Sequence, residues 1–541
     1  MSVARSSMLM AGGTVISRVL GFARAVILAL AIGVTTDAAD AFGVANQLPN
    51  NVYAIIVGGL LNAVLVPQIV KARSNQDGGK GYIDRLLTLI ITVFFVVTLA
   101  ATIAAPLLVS LYTKGWSADQ LALATAFAYW CLPQLFFYGL YAILGEVLNA
   151  RSAFGPYTWA PVLNNLVSLL GLAAFVLIFG ADPTGSRAVS NWDASQIALL
   201  AGTATAGVAA QALILLFAWR HIGLKLNFNF KWRGFGLRPA LKAATWSFGM
   251  VLITQLGGLV QTIVASGAVE ARATNPAVAG VAAAAIAWLI FMLPHSVATV
   301  SIATAYFTKM STHVQDGKMH LLKADLAAGL RSIAVISVFA TVALIVMAYP
   351  VSRIFVGEFL ATIALGNVLI ALMFGLVPFS FVFMMQRAFY ALEDTRTPFL
   401  FTSIQILIHV AGSLTMAVIV PADSIVMALG ALTSFTLVIQ SVIAFKLLTR
   451  QIGPLGEHKI AVAGVQFISA AAVSMVAGFS TIQVLGGISA GSFVLDSVMS
   501  SLVSMIIIGT IMLGVYVMVL RLLKVREIDT VFAGIKGILR R

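Results

Sequence analysis

The chain has 541 residues, of which 60% are hydrophobic and only 10% charged, with a mean hydropathy of +1.01 and a formal net charge of +14. A soluble protein of this size cannot hide so much apolar surface, so water is not its main solvent. The single cysteine, Cys131, excludes an internal disulfide and a cysteine metal cluster, and the positive charge lies in alternate loops rather than on one aromatic-studded face, which argues against nucleic-acid binding.

Apolar runs long enough to cross a bilayer core predict fourteen spans, at about 8–32, 41–70, 86–112, 121–149, 157–180, 195–219, 243–267, 277–308, 328–349, 362–391, 399–420, 424–447, 460–478 and 498–520. An even count places both ends on one side. With the N-terminus in the cytoplasm, 27 of the 33 Lys and Arg fall on inner segments and four, Lys114, Arg187, Arg272 and Arg353, on outer loops. Arg18 and Arg24 lie within the first span. This split follows the positive-inside rule through every loop, so the span count and the orientation support each other. The first apolar run is too long and too arginine-bearing for a cleavable signal peptide.

In span 1, Arg18 and Arg24 are six residues apart, which on a helix is about 9 Å along the axis and about 120° around it. An arginine at mid-bilayer costs about 2.5–3.5 kcal/mol on insertion scales, so it faces a wet cavity or a partner, or snorkels to the interface when near a span end. The guanidinium fork suits phosphate or pyrophosphate. Asp37 and Asp40 open span 2, where they either complement the helix dipole or, for Asp40, pair with an arginine in one state and release it in another. The stretch 46–53 puts Pro49 among amides that include Asn50 and ends on Tyr53, predicting a kink with its freed carbonyls turned to neighbours or water. Gly58 and Gly59 add close-packing capacity in the same span.

Further interruptions stand at Pro133, Pro161, Pro294 and Pro378. Glu146, Asn149, Asn164 and Asn165 are polar positions in spans 4 and 5, open to interhelical hydrogen bonding or to a site. The long inner loop at about 220–242 divides the first twelve spans into two sets of six, as in transporters built from two related bundles. In span 11, Gln405, His409 and Ser413 share one helix face, either as interhelical glue or as an ion or proton site with His409 as the titrating member. The basic tail with Arg521, Lys524, Arg526, Lys536, Arg540 and Arg541 suits anionic headgroups. No nucleophile elbow, phosphate-binding glycine loop or metal-spaced His/Cys set is found, so the chain reads as a transporter without enzymatic chemistry, metal or cofactor.

The fold class expected is an all-α polytopic membrane protein, with an N-terminal lobe at 1–220 (spans 1–6), a C-terminal lobe at 221–450 (spans 7–12), and spans 13 and 14 with the cytoplasmic tail at 451–541.

The segment Ser17-Arg18-Val19-Leu20-Gly21-Phe22-Ala23-Arg24, followed by Asp40-Ala41-Phe42 and Leu48-Pro49-Asn50, resembles the N-terminal signature of the MurJ (MviN) lipid II flippases. Leu148-Asn149-Ala150-Arg151-Ser152-Ala153-Phe154 before Pro161, and the run from Arg387 to Pro398, look like the same family. The resemblance implies the fold of the multidrug/oligosaccharidyl-lipid/polysaccharide exporters, in which two six-helix lobes enclose a central cationic cavity and spans 13 and 14 form a greasy groove. It further implies that Arg18 and Arg24 meet a diphosphate, with Asp40 at the outer gate and Asn50 and Tyr53 on the substrate path. Relatives commonly carry an arginine just after the Leu-Pro-Asn of span 2 and another in span 8. Here Tyr53 and Leu289 stand at or near those places.

The implied activity is flipping of an undecaprenyl-linked peptidoglycan precursor to the outer leaflet of the bacterial inner membrane by alternating access. The tail stays in lipid or in the groove while the charged headgroup crosses in water. Direction would come from the membrane potential, a monovalent cation gradient or consumption of the product, and the partners would be membrane lipids and cell-wall synthesis proteins. The rival readings are an exporter of drugs or of another lipid-linked glycan, and a non-transporting scaffold for wall synthesis, which has no use for arginines within a span.

Overall fold

The computed structural model describes residues 3–57, 80–150, 153–221, 227–231, 238–525 and 527. Outside them lie the second half of span 2 with Gly58 and Gly59, the loop cations Lys71, Arg73, Lys225 and Arg233, Arg151 and Ser152 of the family-like stretch, and Arg526, Lys536, Arg540 and Arg541 of the tail.

Among the described residues the chain is α-helical without a strand. In order come α1 (Val3–Ile32), α2 (Asp37–Ile56), α3 (Lys80–Ile103), α4 (Ala105–Tyr112), α5 (Ala118–Cys131), α6 (Gln134–Ala150), α7 (Phe154–Phe179), α8 (Ala194–His221) and α9 (Arg238–Ser266). They are followed by α10 (Val281–Pro294), α11 (Val300–Gln315), α12 (Met319–Val346), α13 (Ala348–Arg353), α14 (Phe359–Met373), α15 (Leu376–Ala391), α16 (Arg396–Ile419), α17 (Ile425–Ile452), α18 (Glu457–Val484) and α19 (Val498–Leu522). Among the described residues, twelve helical stretches are long and apolar enough to cross a membrane, or thirteen when the bent pair α14 and α15 counts as one. The protein is therefore a multi-pass membrane protein. The expected fourteenth span is the second, and its described half, α2, is too rich in aspartate and amide to meet that test, so the count of fourteen is not reached.

Several spans are helices in two pieces. Span 4 breaks between α5 and α6 because Pro133 has no N–H to donate. The hydroxyl of Thr205 on α8 donates to the Trp130 carbonyl at 2.6 Å, covering an acceptor in the last turn before the break. Span 10 bends by 42° between α14 and α15. Gly375 fits at that bend because a Cβ there would come within 3.1 Å of the Ser434 backbone, and the Ser434 hydroxyl on α17 donates to the Ala371 and Leu372 carbonyls at 2.7 and 2.9 Å. Span 3 breaks at Ala104, between α3 and α4, and span 9 at Met347, between α12 and α13. In span 8, Pro294 is followed by a π-helical turn over His295–Thr299 before α11 begins.

By packing the chain divides into two compact units, Met1–Glu270 and Ala271–Arg541. In the first, α7 packs between α1 and α8, α2 lies on α5, α6 lies on α8, and α9 rests on α2 and α4. The Ser266 hydroxyl and carbonyl at the end of α9 accept from the Lys114 N–H and the Trp116 Nε1–H of the α4–α5 turn, at 2.8 and 3.1 Å. In the second unit, α12 packs on α11, α15 and α18, and α17 on α14, α15 and α16. Leu322, Leu326 and Leu330 of α12 are buried in one core with Met384, Phe389 and Phe401.

Candidate functional site

The first unit gathers most of the residues singled out from the sequence. Arg18 and Arg24 are both half-buried on α1. The Asn165 amide of α7 donates to the Ser17 carbonyl at 2.8 Å, which fixes α1 one residue before Arg18, and the Asn164 amide donates to Gln211 on α8 at 2.8 Å. Both asparagines therefore serve as interhelical ties. Arg24 lies within electrostatic reach of Tyr138 on α6, and it has neither a hydrogen-bond nor an ion-pair partner among the described residues. A partly exposed guanidinium with its donors uncommitted in the middle of an apolar helix has the chemistry to take an anion.

Asp40 is fully buried (0% exposed) in the first turn of α2, where Thr36 caps the helix by accepting from the Ala39 N–H at 3.0 Å. The N-terminal dipole favours a carboxylate there. α2 stays helical through Pro49, and Asn50 is exposed beyond it. The neighbouring Asn51 is buried instead and donates to the Tyr112 hydroxyl at 3.1 Å. Tyr53 is half-buried, with its ring centroid 6.1 Å from Phe94 and 5.5 Å from Tyr138.

Sequence reasoning missed the network that reaches Arg24 through Tyr138. The Gln134 amide, 1% exposed, donates to Asn46 Oδ1 and Thr205 Oγ1, both at 3.1 Å, and Gln134 Oε1 accepts from the Tyr138 hydroxyl at 3.1 Å. Gln134, Tyr138 and Tyr141 stand at i, i+4 and i+7, so they share one face of α6. That spacing was the available signal, and it passes for ordinary packing until α2, α7 and α8 are brought beside it.

In the second unit, the Gln405 amide donates to Thr436 Oγ1 at 3.1 Å across the α16–α17 interface, and Gln440 answers with a bond to Thr402 of the same length. One turn along from Gln405, His409 is 4% exposed and neither ring nitrogen has a partner, and the buried Ser413 hydroxyl beyond it has none either. Leaving such groups unpaired costs about 1–3 kcal/mol each.

Comparison with known proteins bears on the family and the fold. A sequence model of the family described as lipid II flippase MurJ matches residues 28–504. A Rhizobium meliloti (strain 1021) protein named probable lipid II flippase MurJ is 27% identical over 430 residues, covering 77% of this chain and 76% of its own. A Burkholderia cenocepacia protein named lipid II flippase MurJ is 24% identical over 415 residues, covering 74% of this chain and 75% of its own. Among solved structures, a lipid II flippase MurJ in an inward closed conformation superposes with a TM-score of 0.69 at 18% identity over 93% of this chain and 98% of its own. A multidrug resistance MATE transporter of the MOP superfamily, in an inward-facing conformation, shares the fold at a TM-score of 0.59 and 18% identity, over 80% of this chain and 99% of its own. With a family match running over 28–504 of 541 residues, this chain belongs to the lipid II flippase MurJ family.

Proposed function

We propose that this chain flips lipid II, the lipid-linked peptidoglycan precursor, from the cytoplasmic to the outer leaflet of the bacterial inner membrane by alternating access, with both termini in the cytoplasm. The observation that carries the reading is Arg24, an unpartnered and partly exposed guanidinium within electrostatic reach of Tyr138 inside a membrane span. Dragging a diphosphate through hydrocarbon costs many kcal/mol, and a fixed cation on the path lowers that barrier without spanning it. Arg18, on the same helix, provides a second cation about 9 Å away along the axis. Asn50 and Tyr53 on α2 offer polar groups to the route, and Asp40, buried at the head of α2, acts at its outer gate and not on its wall.

The unpartnered pair His409 and Ser413, with Gln405 one turn before it, is the proposed coupling site, where a proton or a monovalent cation would bind and bias the two access states. The membrane potential acting on the arginines is the other contribution to direction.

The test is a leaflet-accessibility assay for lipid II in cells whose only copy of the flippase is this chain. Wild type should expose lipid II on the outer leaflet, and Arg24→Ala at equal protein level should not. Outer exposure that continues after depletion of the chain would sink the reading.

A further inference from the structure

Tyr53 on α2, Tyr138 and Tyr141 on α6 and Tyr157 on α7 form two ring pairs in the first unit. Tyr53 meets Tyr138 at 5.5 Å, and Tyr141 lies flat on Tyr157 at 5.0 Å with the planes 13° apart. All four are partly exposed. Electrostatic coupling of Tyr53 to Tyr138, to Tyr157 and to Glu146 shows that the two pairs and the carboxylate are neighbours. Gly145 makes the arrangement possible, because a Cβ at that position would run into the Tyr157 ring.

Two ordinary explanations fall short. Interfacial belt tyrosines turn their hydroxyls to headgroups and their rings to lipid. Here the Tyr138 hydroxyl is held by Gln134 and the Tyr141 hydroxyl donates to the Tyr157 carbonyl at 3.1 Å, so the rings are fixed against one another across three helices. Apolar packing would be served by leucine, without four hydroxyls to satisfy in a membrane span.

We propose that these tyrosines form a sugar-binding wall, with Arg24 at its edge taking the diphosphate, so that the site recognises a glycosyl diphosphate as one unit. The inference deepens the flippase reading above and rests on it. A pyranose ring has an apolar C–H face that packs on an aromatic ring, and equatorial hydroxyl and amide groups that need polar partners at the rim. The partly exposed tyrosine hydroxyls and Glu146 provide such a rim, with the buried Gln134 holding Tyr138 from behind. In a glycosyl diphosphate the sugar is bonded directly to the phosphate, so a recognising cation must sit next to the aromatic surface, as Arg24 does next to Tyr138. The rings are already stacked and hydrogen-bonded, so little side-chain freedom is lost when a sugar docks. Tyr53 thus adds an aromatic surface against Tyr138, and the grip on the substrate is shared between charge and stacking.

The experiment measures binding of two probes to the purified full-length protein: lipid II, and undecaprenyl diphosphate, which has the same tail and diphosphate but no sugar. Wild type should prefer lipid II. Tyr138→Leu and Tyr141→Leu should each weaken lipid II binding by about 10-fold and leave undecaprenyl diphosphate unchanged, while Tyr138→Phe and Tyr141→Phe keep most of the lipid II affinity. Arg24→Ala should weaken both probes. Retained undecaprenyl diphosphate binding certifies that a leucine variant is folded. The wall is overturned if the leucine variants bind lipid II as wild type does, if they lose both probes equally, or if the phenylalanine variants lose as much as the leucine ones. A wild type that exposes lipid II in the leaflet assay while binding both probes equally overturns the wall and spares the flippase reading. A wild type that neither exposes nor binds lipid II overturns both.

Discussion

Spans 4 to 6 and spans 10 to 12 meet one backbone problem in the same way and then part company. Span 4 breaks at Pro133 and span 6 supplies Thr205 to a stranded carbonyl, whereas span 10 breaks at Gly375 and span 12 supplies Ser434. Around the first break the repair continues into side-chain chemistry, because Thr205 also accepts from Gln134, which holds Asn46 and Tyr138 and leads to Arg24. Around the second, Ser434 gives its hydroxyl to two carbonyls, and the polar residues nearby on α16 are either tied to α17, as Gln405 is, or unpartnered, as His409 and Ser413 are. Interrupted helices at matching places in two halves mark transport paths. The difference teaches that the same break-and-repair device serves both units, while among the described residues the connected polar network that leads to an arginine lies in the first.

The sharpest way to break that contrast is to remove one cation from each unit. Arg24→Ala should lower lipid II flipping by about 100-fold, the cost of withdrawing a charged partner from a desolvated anion. In the second unit, Arg387 lies over the rings of Phe383 and Phe307 at 4.9 and 5.5 Å, and its truncation should cost only about 3-fold, the worth of a cation–π contact. Equal losses in the leaflet assay would mean that charge is shared between the units after all.

Stability separates the two polar clusters next. Gln134→Leu strips partners from Asn46, Thr205 and Tyr138 together and should destabilise the protein by about 2 kcal/mol. His409→Leu deletes two nitrogens that have no partner, so it should be neutral or stabilising by up to about 1 kcal/mol while weakening the coupling of flipping to an ion gradient. Thermal unfolding in detergent reads the first pair of effects, and flipping with the gradient collapsed reads the last. A destabilised but fully coupled His409→Leu would make His409 a packing residue.

A smaller effect compares the two repairs directly. Ser434→Ala uncovers two carbonyls and should cost about 1.5 kcal/mol, against about 1 kcal/mol for Thr205→Val, which uncovers one. The reverse order would show that the extended network around Thr205 matters more than the number of carbonyls served.

Hydropathy and loop charge made the spans legible because a bilayer sets both the length of an apolar run and the side on which arginine rests. Pro133 announced a break for the same kind of reason, a missing donor. Pro378, in the first turn of α15, likewise signalled an interruption in span 10, but the part of Gly375 in the bend was hidden, since glycine within an apolar run reads equally well as close packing, and only the approach of Ser434 distinguishes the two. Of the site, Arg18 and Arg24 were visible from their cost in hydrocarbon. Tyr138 and Tyr141 were not, because a tyrosine in a span has no such cost until the partners of its hydroxyl and its ring are known. Likewise Asn50 and Asn51 look alike in the chain, and only the fold turns one outward and buries the other against Tyr112.

The loops at the ends of the spans give the smallest predicted difference. In the first unit, the segment after α7 is tied to α1 by the Asp182 N–H, which donates to the Leu30 carbonyl at 3.1 Å. Burial would raise the Asp182 carboxyl, yet hydrogen bonds from the Ser186 hydroxyl and from the Ser186 and Arg187 N–H groups, at 2.7, 2.7 and 2.9 Å, outweigh it and hold the carboxyl below its ordinary value of 3.8. In the second unit, Arg353 clamps the segment before α19 by donating to the carbonyls of Leu495 and Asp496, both at 2.8 Å, and carbonyls do not titrate. A lowered carboxyl stabilises the fold in full above the ordinary aspartate value and loses that contribution as pH falls through the lowered one. Acid should therefore loosen the loop of the first unit and leave that of the second. Hydrogen exchange corrected for intrinsic rate should show protection at residues 182–187 falling below about pH 4 while residues 492–496 hold, and Asp182→Asn should remove the pH dependence. Loss of protection in both loops together would place the acid response in the helices beneath them.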